Sequence, residues 1–253
     1  MLRENLFELF PARSYLEKYY SYVGDENAAM MRALAHFALR FQPALERVAE
    51  VGGGPSVVPL LTLSAALSRS PTTITFTDIC RANLAQVEFW LDRRPAGFGY
   101  DAVLEWLQQE HAIDARRITD LVRDSAWTLW AADLQQPPVA EVTHRFDTIS
   151  SHFFAESATD DRDTLVLLLN RIAQLAAPDA RVFLSFMRRS LGYSIDGMEF
   201  PAVPVDEYSV PQLLLAAGLE LEPLEIITTE AEDPPTRPGY EGMLFVGGIL
   251  RSR

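Results

Sequence analysis

The sequence has little with which to build a stapled or metal-held fold. Cys80 is the one cysteine among 253 residues, so an intrachain disulfide is impossible. The four histidines, His36, His111, His144 and His152, are scattered, and no Cys/His cluster has zinc-ligand spacing, so no metal is expected. Basic residues are few: 22 Lys+Arg stand against 35 Asp+Glu, a net charge of −13. Such a surface repels phosphate backbones and anionic lipids, so neither nucleic acid nor a membrane is an expected partner. A cationic or neutral small ligand is compatible with it. Long apolar runs are missing too; Leu165–Leu169 falls far short of the ~20 residues that a membrane span needs. The opening MLRENLFELF lacks the charged start and apolar run of a signal peptide. The expectation is a soluble, cytoplasmic protein.

What is present is an ordinary globular composition, 48% hydrophobic and 23% charged, in a chain long enough to fold without staples. Tyr15–Tyr22 reads as a short aromatic helix. Met30, Leu34, Phe37 and Phe41 recur at helical spacing, predicting a helix from about Glu26 to Phe41 with Asp25 as its cap. Then come a short strand, Arg47–Val51, three glycines, a helix over Val57–Leu67, a β-branched strand over Thr72–Ile79, and a helix over Arg81–Leu91. That alternation marks a parallel sheet with crossover helices. Asp101–Glu110 and Ala115–Val122 read as helices within an insertion, Asp92–Ser125. Strands are expected at Ala126–Ala131, Phe146–Phe154 and Arg181–Met187, and helices at Thr164–Ala176 and Ser209–Ala217. The last two strands, Leu219–Thr228 and Met243–Leu250, flank a Pro-rich loop, Asp233–Gly239, and are expected to pair as an antiparallel hairpin at a sheet edge. Arg188–Val205 reads as a loop without a motif. With no repeat or linker in view, one domain is expected.

The most informative segment is Glu50-Val51-Gly52-Gly53-Gly54-Pro55-Ser56. A glycine turn after the first strand lets the backbone approach a ligand, and the next helix offers free N–H groups. Asp78 ends the second strand, where a carboxylate can accept both hydroxyls of a ribose. A dinucleotide fingerprint would need a third glycine where Val57 stands. An acid, Val-Gly-x-Gly and a second acid ending strand two are instead the pattern of Rossmann-like S-adenosylmethionine (SAM) methyltransferases. Asp133, with Leu134 after strand three, can accept a hydrogen bond from the adenine amine. Each feature alone has a plainer reading, as a tight loop or a solvated acid; the three together, each at a strand C-terminus, point to a cofactor site.

The N-terminal Phe10-Pro11-Ala12-Arg13-Ser14-Tyr15-Leu16-Glu17-Lys18-Tyr19-Tyr20 contains Tyr-Leu-x-x-Tyr-Tyr. With Gly52–Ser56, Thr77-Asp78, Asn83, Asp133-Leu134 and the terminal Gly242–Ile249 strand, it resembles the nicotinamide, phenylethanolamine and thioether methyltransferase family, as a distant member. The resemblance implies a Rossmann-like α/β fold over residues 46–253, with 1–45 as a helical lid. It implies SAM as cofactor, S-adenosylhomocysteine as product and a small-molecule methyl acceptor, nitrogen favoured. Tyr15, Tyr20, Gly52, Gly53, Gly54, Pro55, Asp78, Ile79, Asn83, Asp133, Leu134, Ser151 and His152 would bind cofactor. Tyr19 would face the acceptor, with His152 and Glu156 as possible bases, and Phe186, Met187 and Tyr193 would form an aromatic and apolar wall. One departure stands out: nicotinamide and phenylethanolamine enzymes carry an acid just after strand five, where this chain has Ser185-Phe186-Met187-Arg188-Arg189. Glu156, Asp196 and Glu199 are the nearest alternatives, each also readable as a solvated loop acid. O-methylation, and SAM binding without turnover, remain the competing readings. Oligomeric state is not legible.

Overall fold

A computed structural model describes residues 7–138, 140–231 and 239–251. Most of the Pro-rich loop expected at Asp233–Gly239 lies outside them, as do the first six residues. The N-terminal segment forms α1 (Ala12–Tyr20) and α2 (Asp25–Phe41). Asp25 does not cap α2. Gly24 occupies the cap position in extended backbone, and Asp25 and Glu26 already lie in the first turn. There the free N–H groups of the helix favour their negative charge.

The core alternates as expected: β1 (Arg47–Val51), α3 (Val58–Leu67), β2 (Thr73–Asp78), α4 (Arg81–Leu91), α5 (Asp101–His111), α6 (Ala115–Arg123), β3 (Ala126–Ala131), β4 (Phe146–His152), α7 (Arg162–Leu175) and β5 (Ala176–Arg188). A small hairpin follows, β6 (Gly192–Ile195) with β7 (Met198–Pro201), then α8 (Ser209–Ala216), β8 (Leu221–Glu230) and β9 (Gly242–Leu250). The seven-stranded sheet has the order β3-β2-β1-β4-β5-β9-β8. Its first five strands run parallel; β9 and β8 close the edge antiparallel, so the terminal hairpin forms as expected.

Two features differ from the sequence expectation. β5 starts at Ala176, earlier than Arg181, across a register shift against β4. Pro178 and Asp179 hide this part of the strand in the residue pattern. The segment read as a bare loop, 188–205, holds the β6–β7 hairpin, turned by Asp196 and Gly197 with φ of 49° and 78°. An Asp-Gly pair is the usual two-residue hairpin turn because both positions need positive φ.

Helices cover both faces of the sheet. On one, Met30, Leu34 and Phe37 of α2 pack with Val48, Phe183 and Phe245. On the other, Leu165, Leu168, Leu169 and Ile172 of α7 pack with Val51, Ile149 and Leu184. α3 is buried nearly all round, which suits its unbroken apolar sequence, and delivers the chain from the glycine turn into the core. The parallel strands thereby bring their C-terminal ends to one side, where open α/β sheets bind ligands. Among the described residues no helix is long and apolar enough to cross a membrane.

Candidate active site

The glycine turn is pinned by the end of β2. Gly53 N–H donates to the Thr77 carbonyl at 3.1 Å, and Gly54 N–H to Asp78 Oδ2 at 2.8 Å. Asp78 Oδ1 accepts from Cys80 N–H at 2.7 Å and from Asn83 Nδ2 at 3.1 Å. Burial pushes the Asp78 carboxyl upward, and these donors pull it back. A carboxylate offers about four acceptor positions, so three donors leave Asp78 room for a further one. Asn83 Oδ1 is buried with no partner. Gly52 and Gly54 both have φ of +61°, the left-handed region that glycine tolerates best. A Cβ on Gly52 would lie 2.1 Å from the Phe154 ring, whereas one on Gly54 would project into open space.

That space is a cavity of about 640 Å³, within the usual range for small-molecule sites. Gly52, Gly53, Gly54, Pro55, Asp78, Ile79, Asn83, Asp133 and Leu134 line it at the ends of β1, β2 and β3. Tyr15, Tyr19 and Tyr20 line it from α1, and His152, Met187 and Tyr193 from the ends of β4, β5 and β6. One chamber therefore gathers most of the site residues read from the sequence. Tyr20 lies beside Ser56 and Tyr15, which ties the lid helix to the glycine turn. Burial raises Tyr15, Tyr20 and Tyr193 above the usual phenol value. Burial and then the Glu26 charge push Tyr19 up to about 12. These hydroxyls stay protonated at neutral pH and serve as donors, not bases.

Several expectations are corrected. Ser151 does not reach the cavity: its hydroxyl donates to the Val51 carbonyl at 2.8 Å and ties β4 to β1. Strand alternation puts it on the face opposite His152. Alternation likewise turns Phe186 into the core under α7 and α8, leaving Met187 on the cavity side. Asp196 and Glu199, by contrast, match their reading as solvated acids: both are exposed on the β6–β7 hairpin, away from the cavity.

His152 lines the cavity but is unsuited to be a base. Its Nε2 pairs with Ser150 Oγ at 2.9 Å and its Nδ1 with Ser185 Oγ at 2.6 Å. Burial holds its pKa down at about 3, so it is neutral with both ring nitrogens engaged. Glu156 is not a solvated loop acid. It is fully buried behind β5, its Oε1 accepts from Met187 N–H at 2.9 Å, and it does not line the cavity. Burial raises it to about 7.

Glu50, directly under the glycine turn, is also fully buried, and neither carboxylate oxygen has a hydrogen-bond partner. Desolvation pushes it up to about 8, with Ser150, opposite it in register, pulling the other way. Folding thus favours the protonated form of both acids. Their stabilisation is full below the unfolded carboxyl value and is lost as pH rises through about 7 and 8. The unfolding free energy measured by urea titration should fall between pH 5 and pH 7 by an amount on the order of 2 kcal/mol per group. Glu50→Gln should flatten its share of that slope; an unchanged slope would contradict the burial argument.

Sequence reasoning did not pick out Lys18, Glu26, Asn27, Phe154, Tyr240 or Met243, which also line the cavity. Lys18, the one lysine in the chain, was legible within the lid motif, whereas the α2 and β9 residues become neighbours only through the fold.

Comparison with known proteins gives the family and the fold. The model of the NNMT/PNMT/TEMT family matches residues 1–247. Human nicotinamide N-methyltransferase is 23% identical over 230 residues, covering 87% of this chain and 85% of that protein. Rabbit (Oryctolagus cuniculus) indolethylamine N-methyltransferase is 23% identical over 247 residues, covering 94% of this chain and 92% of that protein. Among solved structures, the N-methyltransferase NodS from Bradyrhizobium japonicum, in complex with S-adenosyl-L-homocysteine, aligns with a TM-score of 0.51 at 13% identity, over 95% of this chain and 99% of that one. A SAM-dependent methyltransferase from Clostridium acetobutylicum aligns with a TM-score of 0.52 at 9% identity, over 95% and 98%. At such identities the structures establish the fold, and the match to the family model, nearly the length of the chain, establishes the family. The chain belongs to the NNMT/PNMT/TEMT family of S-adenosylmethionine-dependent methyltransferases.

Proposed function

We propose that the protein transfers the methyl group of SAM to nitrogen on a small-molecule acceptor, with cofactor and acceptor bound together in the 640 Å³ cavity. The observation that carries this is the continuity of the chamber. It runs from the pinned glycine turn and Asp78, under the tyrosines of α1, to Met187 and Tyr193.

The residues fit the cofactor. The free acceptor capacity of Asp78 and the unpartnered Asn83 Oδ1 suit ribose hydroxyls. Gly54, open toward the cavity, leaves room for the methionyl part. Tyr15 and Tyr20, kept protonated, can donate to its carboxylate, and Asp133 and Leu134 bracket the adenine. SAM supplies an electrophilic methyl group on a sulfonium. The protein's work is then to align the acceptor lone pair with that methyl and to exclude water. Tyr19 and Tyr193 shape the acceptor side. Met187 adds an apolar wall, its backbone fixed from behind by Glu156.

Nitrogen is favoured over oxygen because no strong base touches the acceptor side: His152 is neutral with both nitrogens engaged, and Glu156 sits behind the wall. A hydroxyl acceptor needs its proton removed, whereas an unprotonated nitrogen carries its own lone pair. The test is incubation of the protein with SAM and a panel of small amines, N-heterocycles and phenols, following S-adenosylhomocysteine and methylated product by mass spectrometry. N-methylated product is expected. His152→Asn should retain turnover within about tenfold, because removal of a true general base costs roughly 10²–10⁴-fold. Phenol methylation abolished by that substitution would overturn the nitrogen reading.

A further inference from the structure

The end of β5 offers no free charge to an acceptor. Arg188 is held by Glu207 through two bonds of 2.9 and 3.0 Å, and Arg189 reaches Glu241 at 2.9 Å. Among the described residues the cavity is lined by four carboxylates, Asp25, Glu26, Asp78 and Asp133. Asp78 and Asp133 stand at the cofactor ends of β2 and β3. That leaves Asp25 and Glu26, in the first turn of α2.

Glu26 is the built group of the two. It is half-buried where Asp25 is exposed. The Tyr240 hydroxyl donates to its Oε1 and fixes the carboxylate against the start of β9. The neighbouring Asn27 amide donates to the Tyr19 carbonyl and fastens the lid helix to α2. The Glu26 charge is close enough to Tyr19 to suppress its ionisation. Among the described residues Glu26 has no ion-pair partner: Lys18, the one lysine, gives its Nζ to the Ser194 carbonyl at 3.0 Å. A carboxylate with spare acceptor capacity, facing a cavity between tyrosine rings, is the chemistry that recognises a cation.

We propose that Glu26 is the specificity-determining residue of the acceptor site, and that the acceptor is an amine that enters as an ammonium ion held by Glu26 between Tyr19 and Tyr240. This rests on the methyltransferase reading above. The ammonium releases its proton to solvent before the nitrogen lone pair takes the methyl group; the C–N bond forms as the C–S bond breaks, and the positive charge passes from sulfur to nitrogen.

The test is calorimetry on full-length protein, with and without saturating S-adenosylhomocysteine. The probes are 2-phenylethylamine, tryptamine and benzylamine, each paired with the alcohol that replaces its amine by hydroxyl. At least one amine should bind tenfold or more tightly than its alcohol. Glu26→Gln should reduce that preference to within about threefold while leaving affinity for S-adenosylhomocysteine unchanged, which also confirms that the variant is folded. Tyr240→Phe, which keeps the charge, should retain most of the preference. Equal binding of every amine and alcohol pair, no binding of any probe, or a preference that survives Glu26→Gln would overturn the proposal. Absence of S-adenosylhomocysteine binding in the wild-type protein would instead strike the cofactor reading, since the amine preference is read without it as well.

Discussion

Asp78→Ala should weaken SAM binding by about 10- to 100-fold in calorimetric titration. A hydrogen bond to a charged group contributes about 1.5–3 kcal/mol, so losing the one ribose bond for which Asp78 has room removes roughly one to two decades of affinity. The substitution also releases Gly54, whose N–H is held by Asp78 Oδ2 at 2.8 Å, so the turn loses part of its preorganisation. Asp78→Asn should not rescue it. Oδ1 accepts from Cys80 and Asn83, and Oδ2 from Gly54. Either orientation of the amide turns its NH₂ toward a donor. Affinity within threefold of wild type in Asp78→Ala would contradict the assignment.

The second large effect separates two glycines that share a backbone conformation. Both Gly52 and Gly54 have φ of +61°, so alanine at either incurs about 1–2 kcal/mol of left-handed strain. At Gly52 the added methyl would lie 2.1 Å from the Phe154 ring, and overpacking adds about 1–3 kcal/mol. For a chain of this size each kcal/mol lowers the melting temperature by about 2–4 °C. Gly52→Ala should therefore melt roughly 10 °C lower. Gly54→Ala meets nothing within 4 Å and should lose only a few degrees. Its methyl enters the cavity, so SAM affinity should drop at least about tenfold while stability is nearly kept. Equal melting temperatures, or full affinity in Gly54→Ala, would contradict the geometry.

The parts of this site that were legible in the sequence are those where backbone chemistry leaves little choice. Gly52–Gly54 and Asp78 announce themselves because a left-handed turn and a strand-end carboxylate require those residue types. The lid tyrosines were legible as a motif, and they line the cavity. The orientations of Ser151 and Phe186 follow from strand alternation, but only once β4 and β5 are placed in register. The β6–β7 hairpin has a local signal in Asp196-Gly197, but its strands of four residues each are too short to show a clear alternation. Glu156 is different. Its burial depends on Val203 N–H donating to its carbonyl and Met187 N–H to its side chain, contacts between segments far apart in the chain. Glu26 was hidden for the same reason, since Tyr240 reaches it from the other end of the sequence.

The most direct test of the account is calorimetric titration of the wild-type protein with SAM, and in parallel with NAD. Micromolar binding of one SAM per chain, with no heat from NAD, is the expected result. NAD binding at the same site, or no SAM binding under conditions where the protein is folded, would contradict it.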